Sequence, residues 1–198
     1  MDSQDAAAAE PAECALWLAR LSVSLFRNYA GAELCVDSRP VVLCGPNGAG
    51  KTNLLEAVSY LAPGRGLRRA RLAEVVRRTP GDADAADADP GSWAVAATVM
   101  TPEGPREIGT GRDPGADGGT SVRERRLVRI DGAPARSQQS LGEVVAMVWL
   151  TPQMDGLFRE GASGRRRFFD RLVYGLDPAH ARRVASYEQA MRERTRLL

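Results

Sequence analysis

An α/β nucleotide-binding fold is what this 198-residue sequence predicts, and three neighbouring observations predict it. Pro40–Cys44 (PVVLC) is a short β-branched run of the kind that forms a buried strand. It runs straight into the glycine-rich octet Gly45-Pro46-Asn47-Gly48-Ala49-Gly50-Lys51-Thr52, a full match to GxxxxGK[ST]. Thr52–Leu61 then places Leu54, Leu55, Val58 and Leu61 at helical spacing, and Pro63-Gly64 ends the helix.

Each part of the octet has a chemical reason. Glycines let the backbone bend and bring its N–H groups onto phosphate oxygens. The helix that follows aims the positive end of its dipole at the same anion. Lys51 is placed to reach the β- and γ-phosphates, and the Thr52 hydroxyl to ligate Mg²⁺. ATP with Mg²⁺ is therefore the expected ligand of Gly45–Thr52. Lys51 is the only lysine in the chain, so the one ammonium group in an arginine-writing sequence stands in the phosphate loop. The guanine-selecting Asn-Lys-x-Asp segment needs a second lysine and is excluded.

The flanking segments fill in the domain. Residues 1–14 are rich in Ala, Asp and Glu and read as a disordered tail. Ala15–Val23 and Ala32–Val36 read as strands on either side of Phe26, Asn28 and Tyr29. Leu72, Val75 and Val76 make a short amphipathic helix within the Arg-rich stretch 65–78. Residues 79–92 and 101–120, rich in Gly, Asp, Pro and Ala, read as loops. Trp93–Met100, Arg123–Ile130 and Val144–Leu150 are strand candidates, and Asp131-Gly132 is a tight turn, so hairpins are inserted after the first helix. From Ser163 the pattern turns helical, with Phe169, Leu172, Val173 and Leu176 on one face. Asp177-Pro178 opens a last helix through Leu198. Trp17, Trp93 and Trp149 are expected in the core.

Composition narrows the class. Hydrophobic residues are 43% and charged residues 26%, ordinary for a globular protein. A net charge of +2 excludes a polycation, so any nucleic-acid surface must come from local clustering. Cys14, Cys35 and Cys44 are odd in number and form no CxxC, which argues against disulfides and zinc. Cys35 and Cys44 are expected as buried small hydrophobes. His180, the only histidine, has no Cys or His nearby to share a metal and reads as a helix-surface residue. The acidic N-terminus is no secretory signal, and Val144–Leu150, the longest apolar run, is too short to span a bilayer. A cytoplasmic protein without a membrane partner is expected. No apolar strand in the chain ends in the acidic pair that holds Mg²⁺ in a P-loop ATPase, and no Leu-Ser-Gly-Gly-type signature is present.

Several strings together resemble the N-terminal half of the RecF family, bacterial recombination-mediator ATPases related to SMC-type proteins. They are Leu25-Phe26-Arg27-Asn28-Tyr29, the run Gly45–Arg71, Leu150-Thr151-Pro152, Gly164–Pro178 and Tyr187-Glu188-Gln189-Ala190. The resemblance implies a P-loop head of ABC/SMC type. A mixed-sheet lobe carrying the P-loop would span 15–151, and an incomplete helical lobe 152–198. It also implies ATP-dependent homodimerisation, recombination-mediator partners, and binding to single-stranded, gapped or junction DNA in replication, recombinational repair and the SOS response. In the family the signature and Walker B segments lie in the second half, so a truncated head that binds ATP without completing hydrolysis is expected. A non-catalytic remnant is the alternative. An ABC-transporter subunit is disfavoured by the Asn53-Leu54-Leu55-Glu56-Ala57 continuation.

The resemblance also implies roles for residues with plainer readings. Gln153 follows Thr151-Pro152 where ABC-type heads bring a glutamine to Mg²⁺ and water, or it is a polar turn residue. Arg27 and Asn28 contact phosphate or DNA, or form a surface turn. Arg65, Arg68, Arg69 and Arg71, and Arg165, Arg166 and Arg167, pair with DNA phosphates or are solvated faces.

Overall fold

The computed structural model describes residues 16–78, 91–112, 126–157, 159, 161–177 and 179–197. The expected tail 1–14, Cys14 and most of the two expected loops lie outside these residues. Alternation of large apolar and small or polar side chains builds the sheet. In β1 (Trp17–Phe26), Leu21, Val23 and Phe26 are buried. A two-residue turn at Arg27-Asn28 returns the chain as β2 (Tyr29–Cys35), with Phe26 opposite Tyr29. In β3 (Trp93–Thr101), Trp93, Val95, Ala97 and Val99 face inward, while Ala94 and Ala96 face solvent. β4 (Gly104–Arg112), β5 (Arg126–Ile130) and the two-residue β6 (Ala133–Pro134) complete the sheet. The order is β2-β1-β3-β4-β5-β6, antiparallel throughout.

One face of the sheet is apolar and must be covered. Helix α1 (Lys51–Ser59) and the residues after it supply Ala57, Tyr60 and Leu61, and the one-turn helix α2 (Leu72–Val75) supplies Val75. Leu141 and Val145 close the far side. At the centre Phe26, Tyr60 and Trp93 meet edge to face, with centroids 5.0–5.8 Å apart. Each such pair contributes about 1 kcal/mol beyond the area it buries. The Trp93 indole N–H donates to the Leu72 carbonyl at 2.9 Å, which ties α2 to the sheet. Helices α3 (Ala162–Leu176) and α4 (His180–Leu197) follow, preceded by a 3₁₀ turn at Pro152–Gly156. Among the described residues no helix is long and apolar enough to cross a membrane.

Several expectations are corrected. Pro40–Cys44 and Val144–Leu150 are not strands, and of their residues only Val145 is buried: Val42 is 80% and Leu150 75% exposed. A buried strand needs pairing partners as well as apolar side chains, and no strand of this sheet adjoins either run. Cys35 and Cys44 are exposed for related reasons, one near the end of an edge strand and one in an unpaired segment. Residues 104–112, expected within a loop, form β4. Their glycines hide an alternation in which Ile108, Thr110 and Arg112 point inward. Gly111 is required there, because a Cβ at that position would stand 2.5 Å from the Trp93 carbonyl oxygen. Finally, Trp149 is half-buried outside any strand, with the Arg171 guanidinium stacked 3.7 Å over its ring. His180 is no free surface residue either: its Nε2 lies 2.9 Å from Asp170 Oδ1 and links α4 to α3. By contrast, the Asp131-Gly132 turn is as expected, with both residues at positive φ (50° and 78°).

Gly111→Ala is expected to lower stability by roughly 1–3 kcal/mol through overpacking against backbone. Gly109→Ala, two residues away in open space, is expected to stay within about 0.5 kcal/mol. Urea unfolding midpoints of the two variants check this contrast.

Candidate nucleotide-binding site

The loop Gly45–Gly50 enters α1 through backbone that glycine favours: φ is 147° at Gly45, 84° at Gly48 and 97° at Gly50. Gly50 is the N-cap of α1, and the helix has neither a side-chain cap nor an acidic residue in its first turn. The first-turn N–H groups therefore point outward with no anion of the protein's own to receive. Lys51 Nζ folds back over the loop and donates to the carbonyls of Gly45 and Pro46, both at 2.7 Å. The Thr52 side chain, one residue on, is exposed. Uncapped donors, a permissive backbone and a cation bridging the loop suit a polyphosphate with its counter-ion.

The loop is braced from below. A Cβ on Gly50 would meet Asn28 Nδ2 at 2.6 Å and Tyr29 Oη at 2.7 Å, so only glycine lets the β1–β2 turn press against the loop. Asn28 Oδ1 accepts from Asn53 Nδ2 at 2.8 Å, and Asn53 Oδ1 accepts from Arg68 Nη1 at 2.7 Å.

Beneath these amides lies Glu56, with a fully buried carboxylate. Arg27 grips it with Nε and Nη2, at 2.9 and 2.7 Å, and Arg68 Nη1 adds a contact at 2.6 Å. Arg27 Nη1 donates to the Glu74 carbonyl at 2.8 Å. The hydrogen bonds it donates to Glu56 hold the Arg27 guanidinium above its ordinary range. Arg27 adopts φ 54°, which these bonds and the backbone pairing Arg27 N–H to Val75 O hold in place.

The candidate residues thus separate. Arg27, Asn28 and Arg68 come together under the phosphate loop; Arg27 spends Nε, Nη1 and Nη2 inside the protein, and Arg68 its Nη1. Arg65, Arg69 and Arg71 are exposed, and among the described residues no carboxylate pairs with their guanidinium groups, although the Arg71 backbone N–H donates to Glu74 Oε2 at 2.9 Å. Arg65, Arg69 and Arg167 line a common cleft of about 300 Å³ that Asp170 and Glu188 also border. Arg165 and Arg166 lie on α3 beside Arg167, and Gln153 lies in the Pro152–Gly156 turn. Sequence reasoning passed over Glu56 and Asn53 as bracing residues. The available signal was one acid inside an otherwise apolar helix with a run of arginines close behind.

Glu56→Gln, which strands two guanidinium groups on a neutral amide, is expected to cost about 3 kcal/mol. Arg68→Ala, whose side chain is 42% exposed, is expected to cost about 1 kcal/mol or less. Chemical denaturation of both variants tests the order.

The phosphate loop, its brace and the sheet define a P-loop head of the ABC/SMC type. The fold matches that of the recombination mediator protein RecF in the RecFOR pathway. The RecF–ATP structure superposes with a TM-score of 0.73 at 22% identity, covering 92% of this chain and 44% of that one. The RecF–ATPrS structure gives 0.69 at 21% identity, over 90% and 44%. In sequence the chain is 50% identical over 183 residues to the DNA replication and repair protein RecF of Rhizobium rhizogenes, covering 92% of this chain and 45% of the relative. It is 50% identical over 181 residues to that of Agrobacterium fabrum, with 91% and 45% covered. No protein-family model matches. The likeness to the N-terminal half of RecF therefore holds along nearly the whole chain in sequence and in fold. The chain spans about half the length of the curated relatives it matches.

Proposed function

We propose that this chain is the ATP- and DNA-binding part of a RecF-like protein of DNA replication, recombinational repair and the SOS response. The observation that carries the reading is the phosphate loop itself. The chain's one lysine, an uncapped helix and a braced glycine cradle stand in a chain half identical to RecF. Gly45–Thr52 bind the triphosphate of ATP, and the Thr52 hydroxyl ligates Mg²⁺. Mg²⁺, when bound, would supply charge neutralisation of the phosphates, with the Thr52 hydroxyl to hold it. Lys51 exchanges two neutral carbonyl acceptors for an anionic oxygen, which adds charge–charge attraction to a donor that is already ionised. The brace of Asn28, Asn53, Arg68 and Glu56 keeps the loop in register while the lysine moves.

Arg65, Arg69, Arg71 and Arg165–Arg167 are the proposed contacts to single-stranded, gapped or junction DNA. Arg27 and Arg68 act mainly by fixing the loop they support. In this proposal an ATP-binding lobe spans 15–151 and a helical lobe 152–198, and the protein is cytoplasmic, with ATP-dependent homodimerisation and recombination-mediator partners. Gln153 is kept as the residue that approaches water and Mg²⁺. Hydrolysis is assigned to the whole protein, since these 198 residues contain no acidic Walker B strand.

Lys51→Ala is expected to weaken binding of a fluorescent ATP analogue at least about tenfold, the loss of one charge-assisted contact. Phosphate release by the unaltered chain alone is expected to stay at background. Equal affinity in the variant would overturn the site, and robust turnover would overturn the assignment of hydrolysis elsewhere.

A further inference from the structure

Between the segment that follows the first helix and the residues around β5 and β6, the chain forms a half-open cavity of about 470 Å³. Arg65 and Arg71 reach it from the segment after α1, Arg126 from β5, and Arg136 from the segment after β6. Gln138 and Gln139 add amides, and among the described residues no acid lines it. Its size is in the range of small-ligand sites.

The floor of this cavity is the unusual part. Arg126 is largely buried, yet its bonds run only to neutral acceptors. Nε donates to Thr110 Oγ1 at 2.7 Å. Nη1 donates to the Gly64 carbonyl at 2.7 Å and to Gln138 Oε1 at 3.2 Å. Nη2 donates to the carbonyls of Tyr60 and Ala62. No carboxylate neutralises it among the described residues. Burial accordingly pushes its guanidinium down to about 10. A desolvated cation ringed by dipoles keeps a positive field that only an anion can discharge. Three exposed arginines face the same space. Elsewhere this chain pairs its buried carboxylate with arginines (Glu56 with Arg27 and Arg68), so the missing acid here is not a general habit of the protein.

We propose that the cavity formed by Arg65, Arg71, Arg126 and Arg136 is a second phosphate-binding site, separate from the P-loop, that takes a phosphate ester. It deepens the DNA-binding reading and rests on it for one point, that the phosphate comes from a nucleic-acid backbone rather than from solution. Arg136 then joins the phosphate-contacting arginines, while Arg126, whose guanidinium N–H groups are all bonded to the protein, adds only its charge to the site. The segment 64–71 also touches both sites, since Arg68 holds Glu56 beneath the phosphate loop.

The test uses Arg65→Gln combined with Arg136→Gln, both exposed and without a carboxylate partner among the described residues. A matched control, Arg182→Gln with Arg194→Gln on α4, removes equal charge outside the cavity. Binding of a labelled gapped duplex is measured across salt concentrations, and of inorganic phosphate by calorimetry in a Lys51→Ala background. The cavity pair is expected to lose at least about tenfold in duplex affinity at 0.1 M salt and to flatten the salt slope by about two units. The control is expected to lose much less, and both pairs to keep affinity for the ATP analogue. Undiminished duplex binding by the cavity pair, or an equal loss in the control, overturns the site. If the unaltered chain ignores the duplex but binds phosphate, and the cavity pair abolishes that, the site stands with free phosphate as its source and the DNA reading fails. Binding of neither probe by the unaltered chain overturns the site.

Discussion

A single buried carboxylate organises this chain. Glu56 sits inside α1 with no exposure, and it is tolerable there only because two guanidinium groups reach it from far along the sequence. Arg27 comes from the β1–β2 turn and Arg68 from beyond the helix, so the ion triad fixes three segments against one another. Breaking such a pair costs far more than making it contributes, because the remaining charge is left without water or partner. The same atoms that close the core therefore set the height of the phosphate loop above it, through Asn53 and Asn28.

This arrangement makes the nucleotide site a property of the antiparallel sheet as much as of the P-loop motif. Loop residues Gly45–Ala49 are exposed and glycine-rich, with little packing of their own, and only Gly50 is buried. Their rigidity is borrowed from Phe26, Tyr60 and Trp93, which hold the end of β1 and the end of α1 together. The pairing of Arg27 and Arg77 N–H groups with the carbonyls of Val75 and Leu25 extends that hold to α2. Movement of the segment after α1 would thus be felt at the loop without crossing a long distance.

Local chemistry was legible in the sequence; partnership was not. The phosphate loop, α1, the alternation in β3 and the Asp131-Gly132 turn each follow from residues a few positions apart. β4 was missed because glycine and proline dominate its composition, and its three inward residues give a weak period-two signal. Pro40–Cys44 and Val144–Leu150 were misread for the opposite reason. Their side chains suit a strand, but apolar pattern reports what a segment would bury and not whether a neighbour is there to bury it. The arginines show the same limit. Arg27, Arg68 and Arg126 look alike in a composition table. The first two bond a carboxylate 29 and 12 residues away, and the third bonds carbonyls more than 60 residues away.

The lone lysine has a consequence of a different sort. With arginine at every other cationic side chain, the only ε-amine of these residues is Lys51 Nζ, lodged between two loop carbonyls. An amine-selective acylating agent finds its one side-chain amine in the phosphate cradle. Modification there strips the cradle of its charge and leaves every guanidinium group untouched. Amine chemistry therefore acts on this chain as an address for one site, where in a lysine-rich protein it would be spread across the whole surface.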